Sequence, residues 1–188
     1  MAIELQRDDL KRIEEHGQED YPDECCGILL GKDQGARKIV TGILPLENAR
    51  ADPSLTGEQS EAVALLKQAY QLFVRIHPKD DLIRNWLQRA DPAINSARNR
   101  FLIRPEDFVA SEREARKRGV DILGFYHSHP DHPARPSEFD REHAWPWYTY
   151  LILRVEQGVP RETTGWLLTE DRAQFLPEEI AVTGGAGG

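Results

Sequence analysis

Sulfur is scarce in this chain: 188 residues hold one methionine and two cysteines, and the cysteines are adjacent, Cys25 and Cys26. Neighbours on a strand face opposite ways, so these two are not expected to form a disulfide, and no Cys-x-x-Cys pair occurs. A reducing, cytoplasmic location fits, with at least one thiol as plain buried core. Long apolar runs are missing too. None approaches the ~18 residues that span a bilayer, and the N-terminus carries no signal-peptide pattern. Positive charge is in deficit: 24 Lys and Arg stand against 32 Asp and Glu, a net charge of -8. That balance argues against nucleic acid or an anionic membrane as the main partner. What remains is a soluble chain, long enough for one domain with a substantial core and too short for two large ones.

An α/β pattern runs along it. Leu5, Leu10 and Ile13 lie among charges, which predicts an amphipathic helix from Leu5 to about Asp20. Cys25–Leu30 and Lys38–Leu46 are expected strands, joined by a turn-prone Gly31-Lys32-Asp33-Gln34-Gly35. Phe101–Arg104 reads as a short strand. Pro105-Glu106-Asp107 opens a helix to about Arg118, with Gly119 as its stop. Tyr148–Val155 and Thr163–Thr169 are expected strands, and Gln174-Phe175-Leu176 a last edge strand. The expected architecture is a mixed sheet flanked by helices.

The most informative stretch runs from His127 to Asp140. Asp121–Tyr126 is short, apolar and rich in strand formers, so it reads as a buried strand. If that strand continues through His129, His127 and His129 point the same way, and Pro130 ends it. A proline-rich loop follows, then Ser137 as a helix N-cap with Asp140 three residues on. Positions i and i+3 share a helix face, so Ser137 and Asp140 can approach both imidazoles. Taken separately, His-x-His is a weak signal and Ser-x-x-Asp is an ordinary capping box. Together they supply the groups that hold a zinc ion and leave one position open for water. A hydrolase would also need a base, and local sequence leaves Glu24, Asp131, Glu138 and Glu142 all open.

His127-Ser128-His129-Pro130, a gap ending at Pro136, and Ser137-x-x-Asp140 resemble the signature of the JAMM/MPN+ (JAB domain) zinc metallopeptidases of prokaryotic type. Tyr21–Gly31, Leu44–Asn48, Phe101–Ile103 and Gly124 to about Leu153 match further segments of that family. The resemblance implies a mostly antiparallel, cytidine-deaminase-like MPN/JAMM fold. It implies Zn2+ on His127, His129 and Asp140, Glu24 as the base, and Ser137 hydrogen-bonding the developing oxyanion or the water. It implies a peptidase or isopeptidase that cleaves after the Gly-Gly C-terminus of a ubiquitin-like or sulfur-carrier protein. The leaving group would be a protein lysine, a small amine or a C-terminal extension. The alternative is a non-catalytic MPN scaffold that binds protein partners.

The family domain is expected to span residues 1–182, with a departure at about 53–97. There Val63, Leu66, Tyr70 and Phe73, then Leu82, Ile83, Trp86, Leu87 and Ala90, form two apolar stripes of a helical hairpin. The stripes are expected to pack on each other and on the domain; a groove border, a cap or a homodimer interface would also use them. The tail 183–188, Thr-Gly-Gly-Ala-Gly-Gly, is expected to be flexible, and resembles the end of the family's substrates. His132 reads as exposed, and His143, three residues after Asp140, is open between exposed and site-lining. Trp145-Pro146-Trp147-Tyr148 reads as core or sheet edge rather than a binding platform.

Overall fold

The computed structural model describes residues 2–49 and 97–184. Its elements are β1 (Ala2–Gln6), α1 (Arg7–Asp20), β2 (Cys26–Asp33), β3 (Arg37–Leu46), α2 (Pro105–Arg118), β4 (Asp121–Pro130), α3 (Glu138–His143), β5 (Thr149–Glu156), β6 (Val159–Leu168) and β7 (Phe175–Thr183). The strands pair in the order β1-β3-β2-β4-β5-β6-β7, and β7 returns to β1 to close a barrel. Pairs β1–β3, β1–β7 and β4–β5 are parallel and the other four antiparallel. No helix among the described residues is long and apolar enough to cross a membrane.

Two apolar faces explain why β2 and β4 read as continuous hydrophobic runs. On one face Leu29, Val40, Tyr126, Leu151 and Leu153 pack with Ile13 of α1, all essentially without solvent exposure. Helix α1 lies against that face and touches β1, β3, β4, β5, β6 and β7. On the other face Ile28, Leu30, Ile122 and Phe125 pack against Ala115 and Phe108 of α2. Each fully buried aliphatic side chain contributes on the order of 1.5–3 kcal/mol. Helix α2 ends where a residue without Cβ allows it: Gly119 has φ 66°, and its N–H donates back to the Arg116 carbonyl. A buried polar link joins three strands: Lys38 Nζ donates to Thr149 Oγ1 (3.0 Å), which donates to Glu178 Oε2 (2.7 Å).

Several sequence expectations change. The first helix begins at Arg7, not Leu5, because Ala2–Gln6 is a strand zipped in parallel to both β3 and β7. Phe101–Arg104 is extended but is not a strand; its backbone meets the chain after β3, with Leu102 N–H donating to Asn48 Oδ1 and Ala49 N–H to the Leu102 carbonyl. The 174–176 segment is not an edge. It begins a nine-residue strand that closes the barrel, so the sheet is not an open one. Thr183, assigned to the tail, is the last residue of β7 and pairs with Gln6. The helical hairpin, apart from Ala97, and the last four residues of the Gly-rich tail lie outside the described residues.

One of the tight backbone approaches is between β4 and β5. A Cβ built on Gly124 would lie 2.0 Å from the Thr149 carbonyl oxygen, a backbone atom that cannot step aside. Gly124→Ala is therefore expected to destabilise the fold by about 2 kcal/mol or more, read from urea unfolding; a loss under about 0.5 kcal/mol would contradict this packing.

Candidate metal centre

Strand β4 runs through His129 as its composition predicts, and ends at Pro130, paired with Val155 of β5. Its alternation sorts three consecutive side chains. Ser128 points into the barrel and is fully buried; His127 and His129 point the other way. Asp131 then takes φ 57° and turns the chain. The loop that follows brings the Pro133 carbonyl to His129 Nδ1 at 2.8 Å. A carbonyl only accepts, so Nδ1 carries the proton and Nε2 of His129 keeps its lone pair. His127 Nε2 lies 3.1 Å from that atom.

Helix α3 delivers the carboxylate. Ser137 caps it in a reciprocal box: Asp140 N–H donates to Ser137 Oγ (3.2 Å), and Ser137 N–H donates to Asp140 Oδ2 (2.6 Å). The Ser137 hydroxyl also donates to Oδ2, at 2.7 Å. The capping box and the site are thus one construction. With Oδ2 taken by two donors, Oδ1 faces His127 Nε2 at 3.5 Å, while His129 Nε2 lies 3.7 Å from Oδ2. Ligand atoms of His127, His129 and Asp140 all fall within 4.8 Å of one another.

The electrostatics suit a cation. Burial pushes His127 down to about 4, so it is a neutral imidazole at neutral pH. Asp140 is held well below the usual carboxylate range: burial opposes this, but the two imidazoles and the Ser137 hydroxyl outweigh it. His129 is raised, since Asp140 and Glu24 more than offset its burial. The Nδ1 of His127 is buried with no hydrogen-bond partner among the described residues. Two convergent imidazole nitrogens and an ionised carboxylate, left under-satisfied by the protein itself, fit a divalent metal ion with three protein ligands.

Of the four carboxylates left open by local sequence, Glu24 alone is buried beside these groups. Its N–H donates to the Ala97 carbonyl (2.7 Å), and its own carbonyl accepts from Asn48 Nδ2 (2.9 Å). Its neighbour Cys25 is tied to β4 twice: Cys25 N–H donates to Ser128 Oγ at 2.8 Å, and Ser128 N–H to the Cys25 carbonyl at 3.1 Å. Burial pushes the Glu24 carboxyl up to about 8; His129 pulls it down and Asp140 pushes it further up. Asp131 is instead tied to the Tyr21 hydroxyl and the Gln157 N–H, Glu138 pairs with Arg141, and Glu142 is exposed.

Both cysteines are buried free thiols. Burial pushes Cys25 up to about 12 and Cys26 higher still, so neither is a thiolate at neutral pH. His132 is exposed, as expected, and so is His143, which stacks on Phe139 with ring centroids 4.0 Å apart. The aromatic run departs from expectation. Trp145 and Trp147 are 58% and 69% exposed, and with Phe101, Phe125 and Tyr148 they line an apolar groove of about 700 Å3 that reaches His127 and Asp140. Phe101 stacks on the His127 ring, with centroids 4.6 Å apart. Ala97, Asn48 and Phe101 had no assigned role in the sequence reading. The resemblance at Leu44–Asn48 and Phe101–Ile103 touched only Asn48 and Phe101, and Ala97 was counted in the hairpin, because their contacts are long-range.

Two measurements follow from this geometry. In chelator-treated protein the folded pKa of Glu24, about 8, lies above its ordinary 4.5, so folding binds a proton in that window and stability falls as pH rises through it. Glu24→Gln removes the charge. It is expected to be more stable than the parent near pH 9, by up to about 5 kcal/mol, with the gap closing below about pH 4. Equal urea-unfolding curves near pH 9 would mean that Glu24 is not buried. Separately, His129→Ala is expected to weaken binding of a divalent metal by at least about 100-fold in a chelator-competition titration.

The family model described as "Prokaryotic homologs of the JAB domain" matches residues 6–169. A curated relative, Desampylase of Haloferax volcanii, is 30% identical over 153 residues, covering 81% of this chain and 77% of that one. The solution structure of a protein from Salinibacter ruber matches with TM-score 0.58 at 30% identity, over 97% of this chain and 92% of that one. One from Desulfitobacterium hafniense has TM-score 0.65 at 24% identity, covering 97% and 94%, and shows likeness of fold. Together with the His127, His129 and Asp140 cluster, these matches mean that the chain belongs to the prokaryotic JAB-domain family.

Proposed function

We propose that the protein is a zinc-dependent hydrolase that cleaves after the Gly-Gly C-terminus of a ubiquitin-like or sulfur-carrier protein. The observation that carries this reading is the convergence of His127, His129 and Asp140 within 4.8 Å beside a buried Glu24. The N2O donor set, with one position left over, is that of catalytic zinc. Bound there, zinc would supply Lewis acidity toward water and the scissile carbonyl. The relative named a desampylase supports the substrate class, since that name denotes removal of a ubiquitin-like modifier from proteins. A partner-binding scaffold would need no converging ligand set.

The side chains divide the work. Glu24 takes the proton of the attacking water and returns it to the leaving nitrogen, a role suited to a carboxyl whose pKa lies near neutrality. Ser137 holds Asp140 through the capping box and lines the same recess as Glu24 and His129. The substrate tail enters along the aromatic groove on the His127 and Asp140 side. Glycines suit its last positions because they carry no side chain to clash beside buried ligands.

Incubation with a panel of Gly-Gly-ended ubiquitin-like and sulfur-carrier fusions, read by mass spectrometry, tests this function. Cleavage after Gly-Gly, abolished by chelator and restored by zinc, is the expected result; no cleavage across the panel would sink the reading. Glu24→Gln is expected to keep zinc and lose about 100- to 10,000-fold in kcat. Full activity in the zinc-loaded variant would remove Glu24 as the base.

A further inference from the structure

The two imidazoles of the centre are held in different ways. His129 is oriented as metal-binding imidazoles usually are: its Nδ1–H donates to a backbone carbonyl, that of Pro133, at 2.8 Å. His127 has no such tether. Its Nε2 faces His129 Nε2 and Asp140 Oδ1, and its Nδ1 is buried with no hydrogen-bond partner among the described residues. The χ2 of an imidazole is a soft torsion, and no polar group behind this ring fixes it. What holds it is a stack. The Phe101 ring lies against the His127 ring with centroids 4.6 Å apart and planes 26° apart.

Phe101 belongs to no strand, so its own backbone has to be held by other means. One buried side chain does this. Asn48 Oδ1 accepts from Leu102 N–H at 3.1 Å and Asn48 Nδ2 donates to the Arg100 carbonyl at 3.1 Å, so the amide grips the chain on both sides of Phe101. The same Nδ2 donates to the Glu24 carbonyl at 2.9 Å, and Glu24 N–H donates to the Ala97 carbonyl at 2.7 Å. Both backbone polar groups of Glu24 therefore end on Asn48 or on the segment that carries Phe101. An ion pair between Arg104 Nη1 and Glu47 Oε2 (2.8 Å) and the bond from Ala49 N–H to the Leu102 carbonyl (3.0 Å) pin the far end of that segment. The Arg100 guanidinium lies 4.5 Å over the ring of Phe139, next to Asp140. Adjacent residues, Arg100 and Phe101, thus reach α3 and β4, the two elements that carry the ligands.

Asn48 is only 4% exposed. A buried amide is tolerated where its bonds are made, and three of them end on the backbone of Glu24, Arg100 and Leu102. We infer that Asn48 and Phe101 are positioning residues: Phe101 sets the ring of His127 by stacking, and Asn48 ties that ring and Glu24 to one another. The inference rests on the metal-centre reading above. It explains how one ligand keeps its direction without the hydrogen bond that orients the other. It also makes ligand and base a single mechanical unit, although 103 residues separate Glu24 from His127.

Co2+ alone serves as the probe, because its visible bands report the geometry of the ligands around it. Phe101→Leu keeps an apolar side chain and removes the ring. It is expected to weaken Co2+ binding to metal-free protein about tenfold in chelator competition, and to change the visible spectrum of the Co2+-loaded form. Phe101→Tyr keeps the stack and is expected to match the parent in both. A residue that merely fills space would lower urea stability and leave the spectrum unchanged. Asn48→Ala is expected to weaken Co2+ by a similar factor, and adding Phe101→Leu to it should cost less than about threefold more, because the ring has already lost its support. On the carrier chosen by the panel, at saturating zinc, Asn48→Ala should lose at least about tenfold more in kcat than Phe101→Leu, since only Asn48 also holds Glu24. Parent-like affinity and spectrum in Phe101→Leu, or fully additive losses in the double variant, overturn the inference and leave the metal centre standing. Equal kcat in the two single variants overturns the tie to Glu24. A parent that binds no Co2+ overturns the metal centre as well. If Asn48→Ala does not fold, Phe101→Leu and Phe101→Tyr decide between them, and neither metal measurement needs a substrate.

Discussion

One pair of hydrogen bonds holds the candidate site together. Ser128 and Cys25, 103 residues apart, bond both ways: backbone to hydroxyl in one direction, backbone to backbone in the other. Because side chains alternate along a strand, the residue between the two histidines must point into the barrel. There its hydroxyl meets the end of the chain that carries Glu24. The same geometry that aims His127 and His129 outward therefore fixes Glu24 beside them. Burial of Ser128 makes the bond costly to lose, since an orphaned interior N–H costs on the order of 1–3 kcal/mol.

Around that link the chain concentrates groups that a stable core would avoid. Glu24, His127 and His129 are all buried, and the Nδ1 of His127 has no partner among the described residues. Such groups raise the free energy of the fold unless something compensates, and a divalent cation would compensate the convergent Nε2 lone pairs and the buried carboxylates, though not the Nδ1 of His127. The surroundings then differ on each side of the centre. One side is aromatic and apolar; the other is polar and locally cationic in a protein that is acidic as a whole. Two different environments either side of one reactive point suit a substrate whose two halves differ in chemistry.

How much of this was legible varies with the range of the interactions. The helix over Pro105–Arg118, its glycine stop, the ligand strand to Pro130 and the cap at Ser137 all rest on contacts within a few residues, and local pattern sufficed. Leu5 and Gln6 were read as the start of the first helix, but they end the strand Ala2–Gln6. Its strand state comes from pairing with β3 and with β7, some 180 residues away, which no local window contains. Phe101–Arg104 has strand composition but no ladder; Asn48 and Ala49 take up its backbone bonds instead. The tryptophans failed for the opposite reason. Apolar composition predicts burial, yet Trp145 and Trp147 sit on a turn, with Trp147 at φ 74° and its carbonyl bonded by Lys38, and both remain exposed along the groove.

By itself the sequence determined the ligand types, their shared direction on one strand and one helix face, and the acidity, low cysteine content and lack of long apolar runs that bound the class of protein. These follow from two-residue and three-residue periodicities and from composition, which need no fold. Only the tertiary structure decided that the sheet closes, that Glu24 rather than Asp131, Glu138 or Glu142 is buried beside the cluster, and that Phe101 stacks on His127. Each of those depends on which distant strands pair, and pairing is set by the burial of a whole core rather than by any residue's neighbours in the chain.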